Sequence, residues 1–278
     1  MEVGRRIILG SSSRSRRALM RERLGERLAG VLAPDIDEKA IGDRRTWRAE
    51  ELVLAVSRAK CDALVSSMDE WLRCSGVSSG SSSCGGFAGD ELLLCSDQVV
   101  RCEGQIREKP VDAAEAERFV RSYAGGAPAE CVNGLVLHDL VSGRRVERVY
   151  ISSVHIAPMT EAEIAAFVAE PLLLTCAGAL RIEDPHMKVA RLEGGEDGVM
   201  GLPIDAVLQL AAELERPAAA VGSVGAGGGN KRGLEETGLT TEAVEAQLAS
   251  AAALTLCDED LDLVLPSEGF EALPPPGR

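Results

Sequence analysis

The segment Leu92-Leu93-Leu94-Cys95-Ser96-Asp97-Gln98-Val99-Val100 begins as an apolar run and then places a carboxylate, Asp97, before further β-branched residues. The apolar run predicts a short buried strand that ends near Asp97. A carboxylate in that position is costly unless a cation pairs with it, because burial disfavours its charged form. Lys109 follows, directly before a proline that favours an extended backbone. Two interpretations are open: an ion pair of Asp97 with Lys109 at the rim of a hairpin, or a site for a phosphate and a metal ion.

The composition limits the classes of partner. The 278 residues suffice for one large domain or two small ones. A formal net charge of −14 argues against nucleic acid as the main partner, although a local cationic pocket for one nucleotide is compatible with it. Most of the eight cysteines, which show no C-x-x-C spacing, are interpreted as reduced core thiols. We find neither a secretory signal nor an apolar run of roughly 18 residues, so we expect a cytoplasmic protein without a membrane partner.

A candidate anion site precedes the first predicted helix. Residues 5–9 predict a strand, and a Gly/Ser loop leads from it into a helix that begins near Arg14, with Ser13 as its N-cap. A loop between a strand and a helix N-terminus presents backbone N–H groups to an anion. Three arginines in the first turn oppose the helix dipole: Arg14, Arg16 and Arg17. Either a bound phosphate reconciles them with the helix, or they form a basic, solvated helix face.

Further charged side chains follow in the next segment. A short strand is predicted at residues 31–33, and three carboxylates come directly after it: Asp35, Asp37 and Glu38. They favour a divalent cation, although an exposed acidic loop is the commoner explanation of such a composition. A helix is predicted over residues 49–66, and Lys60 lies close to its apolar side. That lysine is either snorkelling to solvent or aimed into a site.

The remaining elements alternate between helices and strands. The patterns predict helices at 113–123, 160–169 and 204–214, strands at 130–138, 145–156 and 179–183, and a turn at 192–198. We divide the chain into a main domain at residues 1–215, with a low-complexity Ser/Gly insertion at 66–91, and a flexible acidic Ala/Gly-rich extension at 216–278, with a helix at 241–254. We expect no chemistry from the insertion.

The order of the motifs resembles the Maf family of nucleoside triphosphate pyrophosphatases. Residues 7–17 (IILGSSSRSRR) are similar to the family's opening L-[AG]-S-x-S-x-x-R-R, residues 35–38 (DIDE) to its D-x-D-E, and residues 96–100 (SDQVV) to its [SA]-D-[TQ]-V-V. The other similar segments are AKCDAL at 59–64, K-P at 109–110, N-G at 133–134, C-A-G at 176–178 and G-L-P at 201–203. They run in order from about residue 5 to about residue 215.

The resemblance implies an α/β fold of the Maf/ITPase-like, two-lobed type, with a mixed, twisted sheet flanked by helices, a central cleft and a homodimeric assembly. It also implies hydrolysis between the α and β phosphates of a nucleoside triphosphate, with Mg²⁺ or Mn²⁺ as cofactor. By position, Asp97 would be the proton acceptor that activates water, and Asp97 and Glu38 would hold the metal. The implied phosphate-binding residues are Ser11, Ser13, Arg16, Lys60 and Lys109.

The resemblance further implies that three positions set the choice of base: Ser15, Gln98 and Glu183. Gln98 and Glu183 resemble the branch that prefers 7-methyl-GTP, and a carboxylate suits methylated guanine because that base is positively charged. The other branch takes dTTP, UTP and related pyrimidines. The sequence therefore favours an enzyme that removes modified or non-canonical nucleotides. The alternatives are a dTTP/UTP-type enzyme and a nucleotide-binding regulator of cell division with little turnover.

Overall fold

A computed structural model describes residues 4–74 and 89–216 of the protein. This part of the chain contains the strands β1 (Ile7–Gly10), β2 (Leu28–Leu32), β3 (Leu92–Cys102), β4 (Gln105–Arg107), β5 (Ala129–Asp139), β6 (Arg145–Ile156) and β7 (Val189–Glu193). They form one sheet in the order β2-β1-β3-β5-β6-β7, and β4 pairs with β3. Strand β1 is parallel to β2 and β3, whereas the other pairings are antiparallel. The predicted α/β class with a mixed sheet is confirmed.

The α-helices of this part of the chain are α1 (Arg14–Leu24), α2 (Ala49–Cys74), α3 (Ala113–Ala124), α4 (Glu161–Val168), α5 (Glu196–Val199) and α6 (Ile204–Glu215). Side chains cap the N-termini of several of these helices. The Ser13 hydroxyl accepts a hydrogen bond from the Arg16 backbone N–H at 3.4 Å, which confirms Ser13 as an N-cap. Thr160 and Glu163 form a reciprocal capping box. None of the described helices is long and apolar enough to cross a membrane.

The first half of β3 divides its side chains between two helix layers. Leu92 and Leu94 belong to the hydrophobic cluster that includes α1 and α6. Leu93 and Cys95 belong to the cluster on the other face, where α2 packs. Successive strand residues point to opposite faces, so a strand covered by helices on both faces is apolar throughout. This double coverage explains why the segment contains no polar side chain before Ser96.

The second half of β3 lies in a different hydrophobic cluster. Val100 and Cys102 pack there with α3 and α4, which contribute Val120 and Phe167. Strand β3 therefore runs from one cluster into another, and Asp97 lies between them. This arrangement agrees with the two-lobed fold that the resemblance implies, and it places the polar residues of the strand at the junction of the lobes.

The first part of the predicted insertion lies within the described residues. Helix α2 continues to Cys74, so the beginning of the predicted segment 66–91 is helical. Residues 75–88 lie outside the described part of the chain, and so does the extension after residue 216 with its predicted helix at 241–254.

The predicted strand at residues 179–183 is wrong. Residues Ala177–Ala179 form a turn of 3₁₀-helix, in which Gly178 and Ala179 both have positive φ angles, so the backbone cannot continue as a strand. The edge strand is instead β7, which overlaps the predicted turn at 192–198. Most residues of β7 are exposed, so it has no buried apolar pattern from which it could be predicted.

Candidate active site

Strand β3 carries Asp97 to the middle of the sheet rather than to the end of a strand. The strand has eleven residues, and Val99 and Val100 continue it beyond Asp97 in antiparallel pairing with β5. The prediction that it ends near Asp97 is therefore wrong. Strand β1, by contrast, ends at Gly10, which pairs with Cys95. The loop that follows β1 consequently lies beside the polar part of β3.

The side chain of Asp97 pairs with Lys60 of helix α2. The Lys60 Nζ atom lies 2.9 Å from Oδ1 of Asp97 and 3.0 Å from Oε1 of Glu38. Only 5% of the Lys60 side chain is exposed, compared with 13% for Asp97 and 46% for Glu38. Lys60 is therefore aimed inward and does not snorkel. Because Asp97 pairs with Lys60, its interpretation as an ion-pair partner of Lys109 is wrong.

Arg16 is buried, unlike Arg14 in the same turn. Its Nε donates to the Gly201 carbonyl at 2.9 Å, and its Nη1 donates to the Ser96 carbonyl at 2.8 Å. Burial lowers the pKa of the Arg16 guanidinium, and the nearby Asp97 carboxylate opposes that shift. The interpretation as a solvated basic face is wrong for Arg16. Its guanidinium joins β3 to the G-L-P segment and brings a positive charge near the carboxylates.

The serines of the first loop occupy different environments. Ser11 is buried, and its Oγ accepts a hydrogen bond from the Ser13 N–H at 3.1 Å. Ser13 in turn caps the eleven-residue helix α1. Ser15 is exposed in the first turn of that helix. The loop and the helix N-terminus thus combine two ordered hydroxyls with backbone N–H groups, the donor types that bind anions.

Gln98 is anchored to the chain segment before the G-L-P motif. Its Nε2 donates to the carbonyls of Gly198 and Val199, both at 3.0 Å. Asn133, which faces Gln98 across the β3–β5 ladder, donates through Nδ2 to the same Gly198 carbonyl at 2.8 Å. The Oδ1 atom of Asn133 is buried and has no hydrogen-bond partner among the described residues. Asn133 belongs to the N-G motif of the sequence, and an amide inside an apolar strand is the signal that marks it.

Lys109 and Glu183 lie in a second region, around Cys176. Burial raises the pKa of the Cys176 thiol, the Glu183 carboxylate acts in the same direction, and the Lys109 ammonium opposes it. Both Lys109 and Glu183 are exposed. A backbone hydrogen bond joins the two segments, because the Gly178 N–H donates to the Glu108 carbonyl at 2.8 Å. The structure therefore places Lys109 and Glu183 in the same neighbourhood, around Cys176.

The three carboxylates predicted to share a cation do not converge. Asp37 accepts a hydrogen bond from the Lys39 backbone N–H at 3.0 Å, whereas Glu38 turns to Lys60. Asp35 is exposed. The three side chains do not form one ligand group, because Asp37 caps the 3₁₀ turn Glu38–Ala40 while Glu38, inside that turn, faces Lys60.

Glu38 and Asp97 are nevertheless the carboxylates of this site that could hold a divalent cation. Each places a carboxylate oxygen on the same Lys60 ammonium, so the two oxygens lie within two hydrogen-bond lengths of each other. Hard oxygen donors are the ligands that Mg²⁺ and Mn²⁺ prefer.

A second group of ligand-type side chains occurs elsewhere in the described residues. Glu170, Asp184 and His186 place their ligand atoms within 4.8 Å of one another. Asp184 already accepts a hydrogen bond from the His186 backbone N–H at 2.9 Å, and Arg181 lies 3.6 Å from its other oxygen. These contacts within the protein account for the proximity of the three side chains, which form a local polar cluster.

The chain was compared with known proteins. A family model described as Maf-like protein matches residues 6–214. The chain is 31% identical, over 206 residues, to the 7-methyl-GTP pyrophosphatase of Dictyostelium discoideum, which covers 72% of this chain and 93% of that relative. It is 32% identical over 218 residues to a nucleoside triphosphate pyrophosphatase of Salinispora tropica, and the match covers 76% of this chain and 85% of that relative. It is 27% identical over 205 residues to a dTTP/UTP pyrophosphatase of Geotalea uraniireducens, and the match covers 73% of this chain and 92% of that relative.

Proposed function

Because the chain belongs to the Maf family, we propose that it is a nucleoside triphosphate pyrophosphatase, which releases a nucleoside monophosphate and pyrophosphate. The observation that carries this proposal is the pair of carboxylates, Asp97 and Glu38, held on the buried Lys60 ammonium beside a Ser-rich loop. A base, a cation for a phosphate and two oxygen ligands for a metal then lie in one place. A protein that only binds a nucleotide has no need for a base in that position.

In the proposed mechanism Asp97 is the general base. The oxygen of a water molecule bonds to the α-phosphorus, and Asp97 accepts the proton that the water loses. The bond from the α-phosphorus to the oxygen that bridges to the β-phosphorus breaks, and its electron pair leaves with pyrophosphate. Lys60 holds Oδ1 of Asp97 at 2.9 Å, so Oδ2 is the atom that we assign to the proton.

The phosphates would be bound around the start of α1. The N–H groups and the positive dipole end of this helix favour an anion. Ser11 and Ser13 add hydroxyls, and Arg16 and Lys60 add positive charge. Lys109, exposed on the chain segment after β4, would contribute a further cation from the second region.

Glu38 and Asp97 would hold Mg²⁺ or Mn²⁺. When bound, the metal supplies charge neutralisation to the triphosphate. In the structure the Lys60 ammonium contacts one oxygen of each of these carboxylates, so a bound metal would compete with it for those oxygens.

The favoured base is a cationic, modified guanine of the 7-methyl-GTP type. The Glu183 carboxylate offers a negative charge to such a base, and the relative from Dictyostelium discoideum carries the corresponding name. Gln98, at the centre of β3, would influence the pocket for the base indirectly, because its amide donates hydrogen bonds to carbonyls of α5. The role in the cell would be the removal of modified or non-canonical nucleotides. A second candidate is a dTTP/UTP-type activity, since a relative of nearly full coverage has that name.

The test is pyrophosphate release with Mg²⁺ or Mn²⁺ across 7-methyl-GTP, dTTP, UTP, CTP, ITP and the standard purine triphosphates. Asp97→Asn should lower kcat by about 10²- to 10⁴-fold, the usual contribution of a general base. Asp35→Asn is the matched control, because Asp35 is an exposed acid close to Glu38 in sequence, and it should leave kcat unchanged.

Each outcome of this panel has a distinct meaning. Turnover of 7-methyl-GTP that is lost in Asp97→Asn supports both the base and the choice of nucleotide. Turnover confined to pyrimidines overturns the 7-methyl-GTP preference and favours the second candidate. Binding without turnover of any nucleotide overturns the enzyme and favours a regulator.

A further inference from the structure

The turn at Gly178 and Ala179 has two consecutive residues in the left-handed region. Gly178 has a φ angle of +62° and Ala179 a φ angle of +51°. The second value is unfavourable for a residue with a side chain, and such conformations persist only where the surrounding structure fixes them. Ala179 is fully buried, so water cannot satisfy its backbone. The protein must therefore hold this turn by specific contacts.

Two buried hydrogen bonds hold the turn from opposite sides. The Tyr123 hydroxyl of α3 donates to the Gly178 carbonyl at 2.8 Å. The Gly178 N–H donates to the Glu108 carbonyl, also at 2.8 Å. No side chain could replace the glycine, because a Cβ at that position would lie 2.6 Å from Cβ of Val100 and 2.9 Å from the Tyr123 oxygen. The carbonyl of Gly178 is thus hydrogen-bonded to α3, and its N–H is hydrogen-bonded to the segment after β4.

The ring of Tyr123 is itself fixed. Arg107 is buried, with its guanidinium carbon 4.9 Å from the ring centroids of both Tyr123 and Phe119. Its Nη1 donates to the Ser122 hydroxyl at 2.6 Å. Burial raises the pKa of the Tyr123 phenol, so the hydroxyl keeps its proton and remains a donor. Tyr123 is consequently a rigid hydrogen-bond donor on a helix.

The turn lies between the two exposed charges of the second region. Lys109 directly follows Glu108, and Glu183 lies four residues beyond Ala179. We propose that Tyr123 is a positioning residue, which holds the Gly178–Ala179 turn and thereby fixes Glu183 relative to Lys109, so that it sets the choice of base without touching the nucleotide. The inference rests on the proposed function, because it assigns Glu183 to the base and Lys109 to a phosphate.

The test is the substitution Tyr123→Phe, which keeps the ring against Arg107 and removes only the hydroxyl. The readout is the ratio of kcat/KM for 7-methyl-GTP to that for dTTP. We expect the ratio to fall about fivefold, the value of one net hydrogen bond, with kcat for 7-methyl-GTP changed much less than KM. In a Glu183→Gln background, Tyr123→Phe should change the ratio no further, because the effect passes through Glu183.

Tyr150→Phe is the matched control, since Tyr150 is the other tyrosine of the chain and its hydroxyl contacts Gly195 instead. Hydrogen exchange of residues 176–183 provides a readout that needs no turnover, and it should become faster in Tyr123→Phe only.

The inference is overturned if Tyr123→Phe lowers kcat/KM for both nucleotides equally, or if exchange of residues 176–183 is unchanged. If the wild-type protein hydrolyses no nucleotide, the proposed function fails. The exchange measurement then still decides whether Tyr123 holds the turn.

Discussion

Replacement of Lys60 by methionine tests the centre of the proposed site. Methionine keeps a long, unbranched stem, so the variant removes the charge with little change in packing. The ammonium that is lost contacts Asp97 at 2.9 Å and Glu38 at 3.0 Å. The substitution therefore leaves two neighbouring carboxylates without the cation that holds them together.

The cost in stability follows from distance and burial. Unit charges about 3 Å apart attract by about 5 kcal/mol at an effective dielectric constant of about 20, before desolvation is counted. Removal of one partner from a buried ion pair costs about 3 to 5 kcal/mol when the remaining charge stays buried. Here the Glu38 side chain is 46% exposed and that of Asp97 is 13% exposed, so water replaces much of the lost attraction. We expect Lys60→Met to lower the free energy of unfolding by about 2 kcal/mol and the Tm by about 4 to 8 °C.

Activity and metal binding should change in opposite directions. We expect kcat to fall about 100-fold, because Asp97 loses the group that orients it and the phosphate loses a cation. The carboxylates also lose the ammonium that competes with a divalent cation for their oxygens. Without nucleotide, the variant should therefore bind Mn²⁺ about tenfold more tightly, which corresponds to about 1.4 kcal/mol.

Three measurements on one preparation check these expectations: thermal unfolding, pyrophosphate release from 7-methyl-GTP, and Mn²⁺ titration followed by electron paramagnetic resonance. Lys39→Met is the matched control, since it removes the same charge from an exposed lysine next to Glu38, and it should alter none of the three. A Lys60→Met protein with wild-type kcat and wild-type Mn²⁺ affinity would contradict this role of Lys60, because neither carboxylate would then depend on the ammonium.

Three further substitutions test the surrounding fold. Gly134→Ala should lower the free energy of unfolding by about 2 to 3 kcal/mol, because a Cβ there would lie 2.5 Å from the Val53 carbonyl oxygen; an unchanged denaturation midpoint would contradict this contact. The Arg5 guanidinium holds the pKa of Asp139 well below its ordinary value, so the pair stabilises the fold above about pH 4 and is lost as the pH falls further. In a profile of Tm against pH, Asp139→Asn should therefore lose less Tm than the wild type as the pH falls below about 4. An equally steep fall in both proteins would contradict the stabilising role of this ion pair. Arg16→Lys should lower the free energy of unfolding by about 2 kcal/mol and reduce kcat, because lysine cannot reproduce two directed hydrogen bonds; unchanged unfolding and pyrophosphate release would count against it.

The buried strands could be predicted because their burial on both faces is visible in their own residues. Both faces of β1 and of the first half of β3 are covered by helices, so their residues are apolar without interruption. Strand β7 could not be predicted, because it is an exposed edge strand whose hydrogen bonds come from β6 and not from its own side chains. The turn at Gly178 was missed for a related reason, since a tyrosine on a distant helix holds it.

The partner of Asp97 could not be predicted either. Lys109 is the nearer lysine in sequence, but Lys60, which is 37 residues away, supplies the contact. That pairing is decided by how helix α2 docks on the sheet, through Leu64 against Cys95 and Val136 in the cluster of its face. Docking of this kind depends on packing between residues far apart in the chain, which the periodicity and spacing of the sequence do not reveal. The identity of the charged residues, by contrast, was visible in the sequence because each one was costly to place alone.

The charges of the site bear on the proposed metal. Lys60 and Arg16 carry two positive charges, and Asp97 and Glu38 carry two negative charges, so these four groups balance before any substrate is bound. A triphosphate adds several negative charges to a region where Lys60 and Arg16 are already committed to protein partners. The other positive groups near the first loop are the N-terminus of α1, with Arg14 and Arg17 in its first turn, and in the second region Lys109. The proposed divalent cation would neutralise part of this charge, and Asp97 and Glu38 are the carboxylates that would hold it.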